Sequence, residues 1–93
     1  MELDNEKPSF EVERVTPLGV AVRRRRRELG LRQAEVAELA GCSQRFVHTV
    51  EQGKATLRLD KILEVLEVLG LGLEVVPGRG RIVGASDVTR GRR

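Results

Sequence analysis

The chain has 93 residues, 17 of them Lys or Arg and 14 Asp or Glu, for a net charge of +3; that is one small domain with no room for a second. Two Phe and neither Trp nor Tyr leave Leu, Val, Ile and Ala to build the core, which favours packed helices over an aromatic-rich sandwich or barrel. One Cys and one His exclude a disulfide framework and cannot close a zinc site.

The charge is uneven along the chain. Residues 1–13 carry five acids and one Lys, residues 14–77 eleven bases and eight acids, and residues 78–93 five Arg and one Asp. Arg outnumbers Lys fourteen to three, and the guanidinium fork suits phosphate and guanine edges, so nucleic acid is the first partner to test. The uncharged run Val15 to Val22 is far short of the ~20 residues of a membrane span. Met1 is followed by acids rather than a basic and apolar leader, so a cytoplasmic, nucleoid-associated protein is expected.

Residues 1–15 read as a mostly flexible acidic extension, with Phe10, Val12 and Val15 hinting at a short extended piece. A first helix is expected to open at Thr16-Pro17, an N-cap followed by a first-turn proline, and to stop at Gly30. Leu18, Val22 and Leu29 share its inward stripe. The arginines 23–27 fan around it, with Arg25 on the stripe and Arg26 at its flank, so one of the two needs a buried partner. A second helix fits Gln33–Ala40, ending at Gly41. A third, capped by Ser43, fits Gln44–Gln52. Val47 and Val50 face inward on it, whereas Arg45, His48 and Thr49 face out. Glu51 lies about 40° from the Val47 direction and is expected to meet an arginine of the first helix.

A fourth helix runs from about Leu59 to Leu69. Its apolar arc is wider than one core face needs, which leaves Val65 and Val68 for another partner. Leu71, Leu73 and Val75 then alternate with Gly72, Glu74 and Val76 over 71–77, a strand-like pattern. A lone strand must pair with a second subunit or with the Phe10–Val12 segment. Residues 78–93, rich in Gly and Arg, read as a disordered basic tail.

The informative stretch is Gln33 to Val50. Two short helices meeting steeply need a small residue at their contact, Ala37, a turn residue of free φ, Gly41, and apolar residues at Val36, Cys42, Val47 and Val50. This is the helix-turn-helix pattern, whose second helix suits a DNA major groove. Cys42 reads as a small buried apolar residue and Phe46 as helix-edge packing. Without a nucleophile and base pair, a metal cluster or a phosphate loop, neither enzymatic activity nor a cofactor is expected.

Together Leu29-Gly30-Leu31 with Gln33, the stretch just described, Glu51 with Gly53-Lys54, and the following helix resemble the Xre/Cro-type helix-turn-helix domain of phage and bacterial repressors over residues 16–70. Val22 with the arginine run, Arg45-Phe46-Val47, and the segment Leu69 to Val75 further resemble the HipB-like antitoxin regulators. The resemblance implies an all-α, lambda-repressor-like domain of four main helices plus a C-terminal β-strand pairing across a two-fold homodimer through Val65, Val68, Leu71, Leu73 and Val75. It implies base contacts at Gln44, Arg45 and Thr49, with His48 beside them. It places phosphate contacts at Gln33, Ser43 and Lys54, and favours Arg26 over Arg25 as the partner of Glu51. One departure is Arg32, where the family usually has a Thr N-cap; it adds a phosphate contact in place of the lost cap. The implied function is repression at a double-stranded operator, as antitoxin and autoregulator beside a HipA-like Ser/Thr kinase toxin. A stand-alone repressor, or a protein-interaction module that keeps the fold, are the alternatives.

Overall fold

The computed structural model describes residues 3–54 and 57–84, with side chains from Val15 onward. Four helices follow one another: α1 (Leu3–Glu28), α2 (Gln33–Ala40), α3 (Gln44–Glu51) and α4 (Leu59–Leu69). The third packs on α1 and α2, and the fourth closes the other side of the same pair. Leu18 and Val22 of α1, Val36, Ala37 and Ala40 of α2, Val47 and Val50 of α3, and Ile62, Val65, Leu66 and Leu69 of α4 form one buried aliphatic core.

The helix ends explain why such short segments hold their places. Gly41 adopts φ +73°; its N–H donates to the Glu38 carbonyl and that of Cys42 donates to Ala37. This pairing of the last carbonyls needs a left-handed residue, which glycine supplies without a Cβ penalty. The same bonds close α1 at Gly30-Leu31 and α4 at Gly70-Leu71, and Leu31, Cys42 and Leu71 then pack against the core. At the front of α3, Ser43 Oγ accepts the Phe46 N–H at 3.0 Å, satisfying a donor the helix leaves open. Arg32 makes no side-chain cap bond to α2, since a guanidinium has no acceptor. The Glu35 carboxylate compensates in part by accepting the Arg32 N–H at 2.7 Å.

Three sequence expectations are corrected. First, α1 begins at Leu3 rather than at Thr16, so most of the segment expected to be flexible is helical. Pro17 forfeits the bond it would have donated to the Glu13 carbonyl and crowds that carbonyl, yet the helix runs through it, and the Glu, Lys and Arg residues upstream are good helix formers. Second, Leu29 is 43% exposed; it lies past the last helical residue, where the stripe no longer applies, and Leu31 packs inward instead. Third, Val65 is 0% exposed within the single chain, so it belongs to the core and offers nothing to a second subunit. The large apolar side chains of α4 left in solvent are Leu59 and Leu63.

At the C-terminus the strand expected over 71–77 is not shown. Residues 71–76 form no ladder, and no strand occurs among the described residues. A ladder needs a second edge to accept its hydrogen bonds, and no strand among the described residues offers one. The backbone instead bends over 77–81, and Ile82 returns to pack against the core. The tail expected to be disordered from residue 78 therefore folds back at least to Gly84, and its remainder lies outside the described residues.

Candidate nucleic-acid interface

Because α3 is only eight residues long, it could not hold a helix alone in water; its inner side fixes it and thereby aims its outer side. Val47 and Val50 anchor it in the core, and Phe46 packs beside them half-buried. Behind its last turn stands Gly19 of α1. A Cβ placed there would come within 2.5 Å of the Val50 carbonyl oxygen and 2.9 Å of that of Glu51, so only glycine permits this approach. Sequence reasoning passed over Gly19, because a glycine inside a helical stripe carries no hydropathy signal.

At the same end, Glu51 turns its carboxylate back toward α1 and α2. Arg26 Nε donates to its Oε2 at 2.6 Å and a terminal guanidinium nitrogen to Oε1 at 3.0 Å. Gln33 Nε2, from the first turn of α2, adds a third bond at 3.0 Å. Arg26 also reaches the Leu31 carbonyl at 2.9 Å. The side chains of Glu51 and Arg26 are only 3% and 12% exposed. Burial pushes the Glu51 carboxyl up, but the bonds from Arg26 and Gln33 and the charges of Arg26 and Arg23 outweigh it and hold the group below its usual value. The bond to Glu51 raises Arg26 above its own. Arg25, the other candidate for that pair, instead donates to the Leu69 carbonyl at 2.9 Å, tying α1 to the end of α4.

With its back so held, α3 exposes Gln44, Arg45 and His48, leaves Thr49 half-exposed, and is followed by an exposed C-cap, Gln52. The Thr49 hydroxyl donates to the Arg45 carbonyl at 2.8 Å, which leaves its methyl and lone pairs for an outside group. Of the residues assigned to phosphates, Ser43, Lys54 and Arg32 are exposed and Gln33 is half-buried. Ser43 spends a lone pair as the cap and keeps its hydroxyl proton; Gln33 keeps its second amide N–H and its oxygen. The surface is thus polar and rich in donors, with Arg and Gln side chains able to reach base edges in a groove about 12 Å wide. Gln52 was not among the residues picked from sequence, although helical spacing alone sets it between His48 and Arg45.

Burial raises the Cys42 thiol above its usual value, with Lys61 and Glu64 acting in opposite directions on it, as befits a packing residue. Among the described residues no group of three or more His, Cys, Asp or Glu could hold a metal ion, and no helix is long and apolar enough to cross a membrane.

This arrangement, two short helices joined by a glycine turn with the second exposing a polar face, agrees with the comparison to known families. The helix-turn-helix domain family matches residues 17–77, from Pro17 in α1 to the bend after α4. The chain belongs to the helix-turn-helix domain family. It is also similar to an HTH-type transcriptional regulator, y4mF, of Sinorhizobium fredii (strain NBRC 101917 / NGR234), at 42% identity over 65 residues that span 69% of this chain and 86% of the relative. Family membership supports DNA-binding regulation rather than catalysis.

Proposed function

We propose that this protein is a sequence-specific transcriptional repressor that binds a double-stranded operator as a homodimer. The observation carrying the reading is the outer face of α3: Gln44, Arg45, His48 and Thr49 on a helix whose back is fixed by the core and by the Arg26–Glu51 pair. Arg45 donates bidentately to guanine O6 and N7, Gln44 suits adenine N6 and N7, and the Thr49 methyl suits a thymine methyl. Gln33, Ser43, Arg32 and Lys54 hold the flanking phosphates and set register without reading sequence.

The dimer rests on Leu71, Leu73 and Val75, with Val68 beside them. Val75 is 100% exposed and Leu73 47%, in an alternating segment that forms no ladder among the described residues, and a second copy supplies both the edge and the apolar cover. Two-fold symmetry then sets the α3 helices about 34 Å apart on a palindromic site. A labelled duplex from upstream of the gene encoding this chain tests the reading by anisotropy at physiological salt. Selective binding over a scrambled duplex is expected, and equal affinity for both would refute it. Truncation after Gly70 should give a monomer by sedimentation with weakened operator binding; a truncated chain that stays dimeric and binds as before rules out the C-terminal interface.

The narrower role we infer is that of antitoxin and autoregulator in a toxin–antitoxin operon, with a HipA-like Ser/Thr kinase as partner. It is supported by the likeness of the arginine run and of the segment Leu69 to Val75 to HipB-like regulators. With α3 committed to DNA, such a partner would sit on the outer faces of α1 and α4. Co-purification of the neighbouring gene product on the tagged chain is the test; a neighbour that is neither toxic alone nor retained leaves a stand-alone repressor.

A further inference from the structure

The Arg26–Glu51–Gln33 cluster draws three elements to one corner: the last turns of α1, the start of α2 and the end of α3. Around α3, Glu51 lies only about 20° from Gln44, so this corner borders the exposed face along its Gln44 and His48 edge. A helix lying in a major groove has a phosphate run on either side. On this edge the neighbouring protein is α1, whose Gly19 abuts the Val50 and Glu51 carbonyls and whose Arg26 reaches the Glu51 carboxylate. Arg23 stands between those two contacts. By helical spacing it points about 40–60° outward from them, on the same flank and toward solvent.

We propose that Arg23 is a DNA-backbone contact, clamping the phosphates that run along the Gln44 edge of α3 and extending the footprint of the α2 amide Gln33 onto α1. This rests on the DNA-binding reading above. Arg23 is exposed and makes no ion pair with a described residue, unlike Arg25, Arg26, Arg32 and Arg58. The one carboxylate at the corner, Glu51, is already held by two bonds from Arg26, so the second guanidinium is in surplus there. Its charge nevertheless reaches Glu51, which sets it at this corner rather than on the far side of the helix. Arg24 is its internal control: the same charge on the same helix, turned about 100° further from Glu51.

The test is the salt dependence of binding, which counts phosphate contacts and is blind to base reading. Wild type, Arg23→Ala, Arg23→Lys and Arg24→Ala are titrated by anisotropy onto the labelled upstream duplex between 50 and 200 mM salt. Loss of one phosphate contact lowers the log–log slope by about 0.9, so wild type should lose about three- to four-fold more affinity over that range than Arg23→Ala. Arg23→Lys should keep the wild-type slope, Arg24→Ala should keep most of it, and preference for operator over scrambled duplex should be unchanged in all three. If Arg23 only complemented the carbonyl end of α3, Arg23→Ala would melt lower with its slope unchanged, and that result overturns the assignment. So does an equal slope change in Arg23→Ala and Arg24→Ala, which marks a diffuse charge effect. In either case wild-type operator binding stands, whereas a wild-type chain that binds no duplex overturns the DNA-binding reading and this inference with it.

Discussion

Replacing Glu51 by Leu removes a carboxylate that accepts three hydrogen bonds, at 2.6, 3.0 and 3.0 Å, and strands the guanidinium of Arg26 in a site where its side chain is 12% exposed. Breaking a buried pair from one side costs about 3–5 kcal/mol, chiefly because the remaining charge is left without compensation. The lower end applies here, since Arg26 keeps some solvent and its bond to the Leu31 carbonyl. Against a total stability on the order of 5–15 kcal/mol, even that loss of about 3 kcal/mol is large, corresponding to a drop in Tm of roughly 12–24 °C for a domain of this size. Arg26→Met should cost a similar amount by stranding Glu51.

The double variant Arg26→Met/Glu51→Leu separates this account from a simple sum of lost contacts. Removing both charges and filling their volume leaves only the Leu31 carbonyl and the half-exposed Gln33 amide to find water, so the double should be more stable than either single. Urea unfolding followed by far-UV circular dichroism supplies the three values. A double variant whose loss equals the sum of the singles would refute a buried, mutually dependent pair. The pair also carries a pH signature. Glu51 titrates below its ordinary 4.5 in the folded chain, so its contribution is complete above the unfolded value and is lost as pH falls through the depressed folded one. Glu35 and Asp60 are shifted the same way, so the signature is the difference between wild type and Glu51→Leu, which should narrow steadily below about pH 4.5.

Arg45→Ala should cost about 1–3 kcal/mol on the operator and less on scrambled duplex; an equal loss on both would assign Arg45 to the backbone instead. Gly19→Ala should destabilise the fold by about 1–3 kcal/mol, because the added methyl meets the Val50 carbonyl and a backbone oxygen cannot step aside; a melting temperature at or above wild type would show that α1 slides freely over α3. Ser43→Ala should lose about 1 kcal/mol of stability through the Phe46 N–H left without its cap, and unchanged urea unfolding would mean water replaces the hydroxyl at no cost.

The parts of the fold legible in the sequence were those decided within a few residues. Gly30, Gly41 and Gly70, each followed by an apolar residue, mark helix ends because the left-handed cap and its packing contact are local chemistry. Ser43 marks a beginning for the same reason, and the angle between Val47 and Glu51 follows from helical geometry alone. What was not legible depended on how elements dock. The Thr16-Pro17 pair carries a start signal that α1 overrides by running through it. The apolar arc of α4 gives the width of its buried face but not its bearing; with α1 and α2 both lying on that helix, Val65 is enclosed and Leu59 and Leu63 are left outside. A strand pattern specifies a face and not a partner, so residues 71–76 could be drawn as a strand from sequence while no second strand occurs among the described residues to meet them.

In the proposed reading, Gly19 and Glu51 together give α1 a part in DNA recognition that its distance from the exposed face of α3 conceals. The bearing of α3 is set by Val47 and Val50, which are apolar and tolerate small rotations, and by two contacts that do not: backbone against backbone at Gly19, and a three-bond carboxylate at Glu51. Both lie at the C-terminal turn of α3. Its N-terminal turn, carrying Gln44 and Arg45, is held by the Ser43 cap and the glycine turn from α2. A rotation of α3 about its own axis would move Gln44 and Arg45 together relative to the groove, and the carboxylate clamp opposes that rotation because its bonds are directional. Substitutions at Glu51 or Gly19 that still leave a folded chain should therefore weaken operator binding more than binding to scrambled duplex. In that reading, misaiming the bidentate contacts removes discrimination, while the proposed phosphate contacts from α2 and from Lys54 survive.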